Sequence, residues 1–197
     1  MESLKSEVAA AAARVVVEEG LEYGPAKRRA LKLLDLPART ALPDNDAVED
    51  AVREYLALFC ADTQPAELLA LRELALVWME RLALFRPHLG GAVWRGTATR
   101  LSDLYLHLFC DDAKEVAMAL IDNRMDYDVT TATGLRGDAV EGLSLSVPCR
   151  ALGESVGLHL IVNGYDALRG ALQPDARGRS LRGDLAALQG LLAKTTR

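Results

Sequence analysis

The chain has 197 residues, half of them apolar, and a formal charge of −5. That is enough for one domain, or one domain with a helical extension, around a substantial core. The acidic balance argues against general nucleic-acid binding, and no apolar run reaches the length that spans a membrane.

Cys60, Cys110 and Cys149 are far apart and belong to no CxxC or Cys/His cluster, so nothing suggests zinc. Three reduced, mostly buried thiols in a cytoplasmic protein is the expectation. The apolar start from Val8 to Val17 is broken by Arg14 and preceded by Glu2, Lys5 and Glu7, which is not a signal-peptide pattern. Charge is uneven along the chain. Residues 167–197 hold six Lys or Arg and two Asp, a local +4, so the other 166 residues sum to −9. A basic helical tail of this kind can lie in solvent or meet phosphates.

In chain order, Leu4, Val8, Ala11 and Val15 recur at helical spacing over residues 3–19, with Gly20 as the stop. Gly24-Pro25 opens a second helix. Ala30, Leu31, Leu33 and Leu34 are expected inward, and Lys27, Arg28, Arg29 and Lys32 outward. The basic cluster could bind an anion or simply form a solvated face. Leu42-Pro43-Asp44-Asn45-Asp46 reads as a capped turn before a third helix, Ala47 to Cys60, striped by Val48, Val52, Tyr55, Leu56 and Phe59. Thr63 and Pro65 start a strongly apolar fourth helix, which Pro87 must end.

The stretch from Leu89 to Phe109 is different in kind. It runs into Gly90-Gly91, passes through a loop of small residues and enters Asp103-Leu104-Tyr105-Leu106-His107-Leu108, which alternates strictly. Leu104, Leu106 and Leu108 belong to one face of a strand, and Asp103, Tyr105 and His107 to the other. A glycine-rich turn before a strand that opens with Asp brings backbone N–H groups near a carboxylate, a pairing suited to phosphate and metal. Asp112 and Glu115 then have capping-box spacing at the start of a helix. Met125–Thr131, Val140–Val147 and Val156–Asn163 follow as strands, the last two joined through Gly153 as an antiparallel hairpin. Residues 184–194 form a last helix. The order predicts an α+β fold: a helical N-terminal half, then a small mixed β-sheet backed by helices. The expected divisions are residues 1–86 (helical), 87–165 (the core) and 166–197 (the basic tail).

The stretch from Pro87 to Leu108 resembles the nucleotidyltransferase superfamily, the polymerase-beta-like or minimal nucleotidyltransferase fold. Gly91 falls on the family's Gly, Ala92 on its Ser, Arg95-Gly96 on its Arg-Gly, and Ser102-Asp103-Leu104 on its Ser-Asp-x. The resemblance is topological to about Asn163 and does not reach the first 60 or last 30 residues. It implies a nucleoside triphosphate held by Gly91, Ala92, Arg95, Gly96, Thr97, Ser102 and Tyr105. It also implies Mg²⁺ held by Asp103 and a second carboxylate. Two positions depart from the family: its serine is Ala92, and its second strand Asp is Tyr105. Asp128 is then the first candidate for the further catalytic and metal-binding carboxylate, with Asp126 beside it and Glu141 next.

Read without the resemblance, each of these residues has a plainer role. Asp103 would cap a strand, Tyr105 and His107 would line a cleft wall, and the strand carboxylates would face solvent. His159 reads as a satisfied sheet histidine. No Ser-His-Asp spacing, GxSxG, Walker A, Rossmann fingerprint or HExxH is present. Two functions follow as expectations: a divergent nucleotidyltransferase binding a triphosphate with weak or absent transfer, or an inactive relative serving as scaffold or protein-interaction module. The acceptor is unknown, and a homodimer through the helical half is open.

Overall fold

The computed structural model describes residues 2–195, which form two compact units. The first contains the chain to Leu68 together with Thr97–Leu101; the second contains Leu69–Gly96 and everything from Ser102 onward. The division falls inside the fourth helix, where the sequence reading drew it after residue 86, and the basic C-terminal segment belongs to the second unit.

The first unit is built on α1 (Glu2–Glu19), α2 (Tyr23–Leu33), α3 (Asn45–Phe59) and the start of α4 (Gln64–Arg81). Its core is Val8, Ala12 and Val15 of α1, Ala26, Ala30 and Leu31 of α2, and Val48, Val52 and Leu56 of α3. Gly20 at φ 70° ends α1, as its sequence position suggests. Asp44 caps α3 by accepting from the Ala47 N–H at 2.7 Å. The segment Thr97–Leu101 is tied in by Gln64, which donates to the Ala98 carbonyl at 2.8 Å, and by Glu67, which accepts from the Arg100 N–H at 2.9 Å.

Two expectations for this unit are corrected. Leu33 and Phe59 face outward, 54% and 69% exposed. Lys27 is not on a solvated basic face: it is only 8% exposed. Its Nζ donates to the Pro43 carbonyl at 2.9 Å and to Asn45 Oδ1 at 2.7 Å, fastening α2 to the turn before α3. Periodicity could not show this, because the two acceptors are remote in sequence. Lys27→Met keeps the stem but strands both acceptors, so it is expected to cost about 2 kcal/mol. A urea-unfolding midpoint unchanged from wild type would refute that role.

In the second unit, α4 is followed by β1 (His88–Gly90), the short α5 (Gly91–Arg95), β2 (Leu104–Phe109), α6 (Ala113–Asp122), β3 (Asp128–Thr133), β4 (Ala139–Cys149), β5 (Glu154–Asn163), a 3₁₀ turn (Tyr165–Gly170) and α7 (Leu185–Thr195). The fold is α+β, with one five-stranded mixed sheet in the order β1-β2-β5-β4-β3. β2 runs parallel to β5, and the other pairs are antiparallel. Gly183 bridges to Leu89 and adds a single antiparallel rung outside β1. The alternation in the sequence becomes one apolar face: Leu104, Leu106 and Leu108 stand beside Leu158, Leu160 and Val162, and these beside Leu143 and Leu145. All eight are buried. Asp112 caps α6 through the Lys114 N–H at 2.9 Å, and Gly153 at φ 70° turns the β4–β5 hairpin, as expected. Among the described residues no helix is long and apolar enough to cross a membrane.

Candidate functional site

The polar face of β2 carries Tyr105 and His107, and Asp103 sits one residue before the strand. The parallel register sets Tyr105 opposite His159, and the hairpin register sets His159 opposite Ser144. These residues join into one chain of contacts. Asp103 Oδ1 accepts from the Gly157 N–H at 3.1 Å, and Oδ2 accepts from His159 Nε2 at 3.0 Å. With that proton on Nε2, Nδ1 is left to accept from the Ser144 hydroxyl, 2.9 Å away. The hydrogen bond from His159, helped by its charge when protonated and by the Gly157 N–H, holds the Asp103 carboxyl below its ordinary pKa against an opposing desolvation penalty.

Gly157 makes room for this arrangement. A Cβ there would lie 2.5 Å from Asp103 Oδ1. Tyr105 stacks on His159, centroids 4.8 Å apart and rings inclined by 24°. On its other flank, a Cβ at Gly91 would be 3.3 Å from Tyr105 Cδ2. The Tyr105 ring therefore fills the space between the glycine turn and β5. Gly91 itself is at φ 68°, a conformation that favours glycine.

The stretch read as a phosphate-cradling loop is a short helix. Gly91, Ala92 and Arg95 lie in α5, which Gly96 ends at φ 84° by donating to the Ala92 carbonyl. Arg72 of α4 fixes two further carbonyls of α5, donating to Val93 O at 3.1 Å and Trp94 O at 3.3 Å. Thr97 is buried and belongs to the first unit, while Ser102 is half-buried in the second.

The expected further carboxylates do not join Asp103. Asp128 shares its face, but β3 is three strands from β2, roughly 14 Å at the usual strand spacing. Glu141 has the parity of Leu143 and Leu145 and so belongs to the opposite face. Asp126 lies in the exposed turn before β3. These positions rested on chain order, whereas the strand beside β2 is β5, the last to form in sequence. Mg²⁺ asks for several oxygen ligands in octahedral array. Asp103 has both its oxygens engaged, and its neighbours on this face are a phenol and an imidazole. Among the described residues no group of three metal-ligating side chains comes together. The residues do not fit the ion that the resemblance implies.

What the sequence reading missed is the Ser144–His159–Asp103 chain, since it found no such spacing. Half of it was legible: counting outward from the Gly153 turn pairs Ser144 with His159. The pairing of β5 with β2, which adds Asp103, left no local signal.

His107, further along the same face, is a second kind of site. Its Nδ1 is shut from water without a hydrogen-bond partner. Burial, with Arg182 and His88 nearby, pushes its pKa from 6.5 down to about 4. His88, opposite His107 on β1, is lowered as well, chiefly by burial, and its Nδ1–H donates to the Arg86 carbonyl at 2.8 Å. No protein-family model, curated protein or solved structure matches the chain.

Proposed function

We propose that this chain is a nucleotidyltransferase-like protein that binds a nucleotide without metal-dependent transfer of it. The observation that carries the reading is the state of Asp103. It stands at the head of β2, after Gly91 at positive φ. Its carboxylate, though, is satisfied internally by Gly157 and His159. A carboxylate so engaged, with Tyr105 rather than a second carboxylate beyond it, weighs against two-metal catalysis. Three free cysteines are consistent with the cytoplasmic location that belongs to the same reading.

The alternative, a scaffold or protein-interaction module, is favoured by the Tyr105 ring packed between Gly91 and His159. Thermal unfolding with each nucleoside triphosphate, in Mg²⁺ and in EDTA, separates these readings. A ligand that binds only the folded state stabilises it by about 2.7 kcal/mol at 100 times its Kd, so a working site is visible. The expected result is stabilisation of equal size with and without the metal. A shift that needs Mg²⁺ and vanishes in Asp103→Asn would instead mean a working metal-dependent nucleotide site, and transfer to an acceptor would be sought. No shift with any nucleotide would leave the scaffold.

A further inference from the structure

Beyond that reading, and independent of it, a second part of the sheet unit is built for an anion. We propose that the cavity of about 750 Å³ bounded by Arg136, Arg169 and Arg182 binds the phosphate group of a small organic phosphate.

The cavity's charge is unbalanced. Of its lining residues three are arginines and one, Asp166, is a carboxylate. Asp166 is already taken by Arg136, which pairs with its Oδ2 and donates to its backbone carbonyl. Arg182 is the most telling. Its Nη1 donates to the Ala171 carbonyl at 2.9 Å, while its Nε is buried without a hydrogen-bond partner. Among the described residues no carboxylate pairs with it, and burial lowers its pKa. A half-buried guanidinium with no carboxylate beside it leaves a positive charge that an incoming anion would balance. Arg169, exposed on the rim, makes no ion pair with any described residue. Two uncompensated guanidiniums, each with fork geometry, match a phosphate dianion.

The walls are held in place before any ligand comes. Asn163 is 2% exposed, and its Nδ2 donates to the Ile161 and Leu108 carbonyls at 3.0 and 3.3 Å. Its Oδ1 accepts from the Leu135 N–H at 2.9 Å, which fixes the turn that carries Arg136. Asp111 Oδ1 accepts from the Tyr165 N–H at 3.1 Å and so fixes the 3₁₀ turn that carries Asp166 and Arg169. The volume is within the usual range for small-molecule sites and exceeds what a bare phosphate fills. Leu135 and Tyr165 line the remainder. An organic group attached to the phosphate would lie against them.

Calorimetric titration tests this with inorganic phosphate, pyrophosphate and phenyl phosphate as probes, at low salt. The proteins are wild type, Arg169→Gln, Arg182→Gln and, as a control for net charge, Arg150→Gln in the exposed turn between β4 and β5. Phenyl phosphate should bind more tightly than inorganic phosphate. Each cavity variant should weaken both about tenfold or more, and Arg150→Gln should leave them unchanged. Should Arg182→Gln fail to fold, Arg169→Gln decides, since its side chain is at the surface. Equal affinity in wild type and Arg169→Gln overturns the proposal, as does the absence of binding by any probe at about 10 mM. An equal loss in Arg150→Gln also overturns it, since the effect would then follow net charge alone. Phenyl phosphate binding no more tightly than inorganic phosphate refutes the organic ligand.

Discussion

Acidification from pH 7 to pH 4 is expected to remove about 3 kcal/mol of stability through His107 alone, and His107→Gln to abolish that part of the loss. The folded-state pKa is about 4 against an ordinary 6.5. A depressed histidine pKa means that the unfolded chain takes up the proton first. The stabilisation is therefore complete above pH 6.5, falls as pH drops from 6.5 toward 4, and is fully lost below that. At about 1.4 kcal/mol per pKa unit, the shift corresponds to about 3 kcal/mol. The physical source is specific: imidazolium would need both nitrogens hydrogen-bonded, but Nδ1 is buried without a partner. The positive charge would also lie near Arg182, whose Cβ lies 4.0 Å from the position a Gly90 Cβ would occupy, where the His107 ring approaches to 3.5 Å. His88 acts in the same direction. Asp103, lowered from 3.8, changes stability only below that range, so the two effects separate on the pH axis. Urea midpoints at pH 7, 5.5 and 4 for wild type and His107→Gln give the test. Parallel curves for the two proteins would sink it.

Gly183→Ala is expected to destabilise the sheet unit by about 3 kcal/mol, the upper part of the range for overpacking. Gly183 exchanges both backbone hydrogen bonds with Leu89, at 2.8 and 2.9 Å, so its backbone is held in place. A Cβ there would lie 2.1 Å from Trp94 Cη2 and 2.2 Å from Cζ3. The indole is not free to yield, because its Nε1–H donates to the Ser180 carbonyl at 2.9 Å. In the Trp94→Leu background the same glycine substitution should cost less than about 1 kcal/mol, giving a large coupling in a double-mutant cycle. Additive effects in that cycle would show that the two residues do not meet as described. The result bears on the candidate site, since Trp94 is in α5 and Gly183 follows the Arg182 of the proposed anion cavity.

The division between local and non-local information is visible in particular elements. The alternation of Leu104, Leu106 and Leu108, the caps at Asp44 and Asp112, the stop at Gly20 and the turn at Gly153 were all legible in the sequence. Each depends on residues within a few positions of one another, where periods of 2.0 and 3.6 and capping chemistry act. So the sequence by itself determined the α+β class, the order of the longer helices and strands, and which side of β2 carries Asp103, Tyr105 and His107. Only the tertiary structure decided that β5 lies beside β2 and that Lys27 is buried. It alone separated Asp128 and Glu141 from Asp103 and set His159 and Gly157 there instead. It also gathered Arg136, Arg169 and Arg182 around one cavity. Strand order and long-range partners follow from the summed packing of residues tens of positions apart, and no short stretch of sequence encodes that sum.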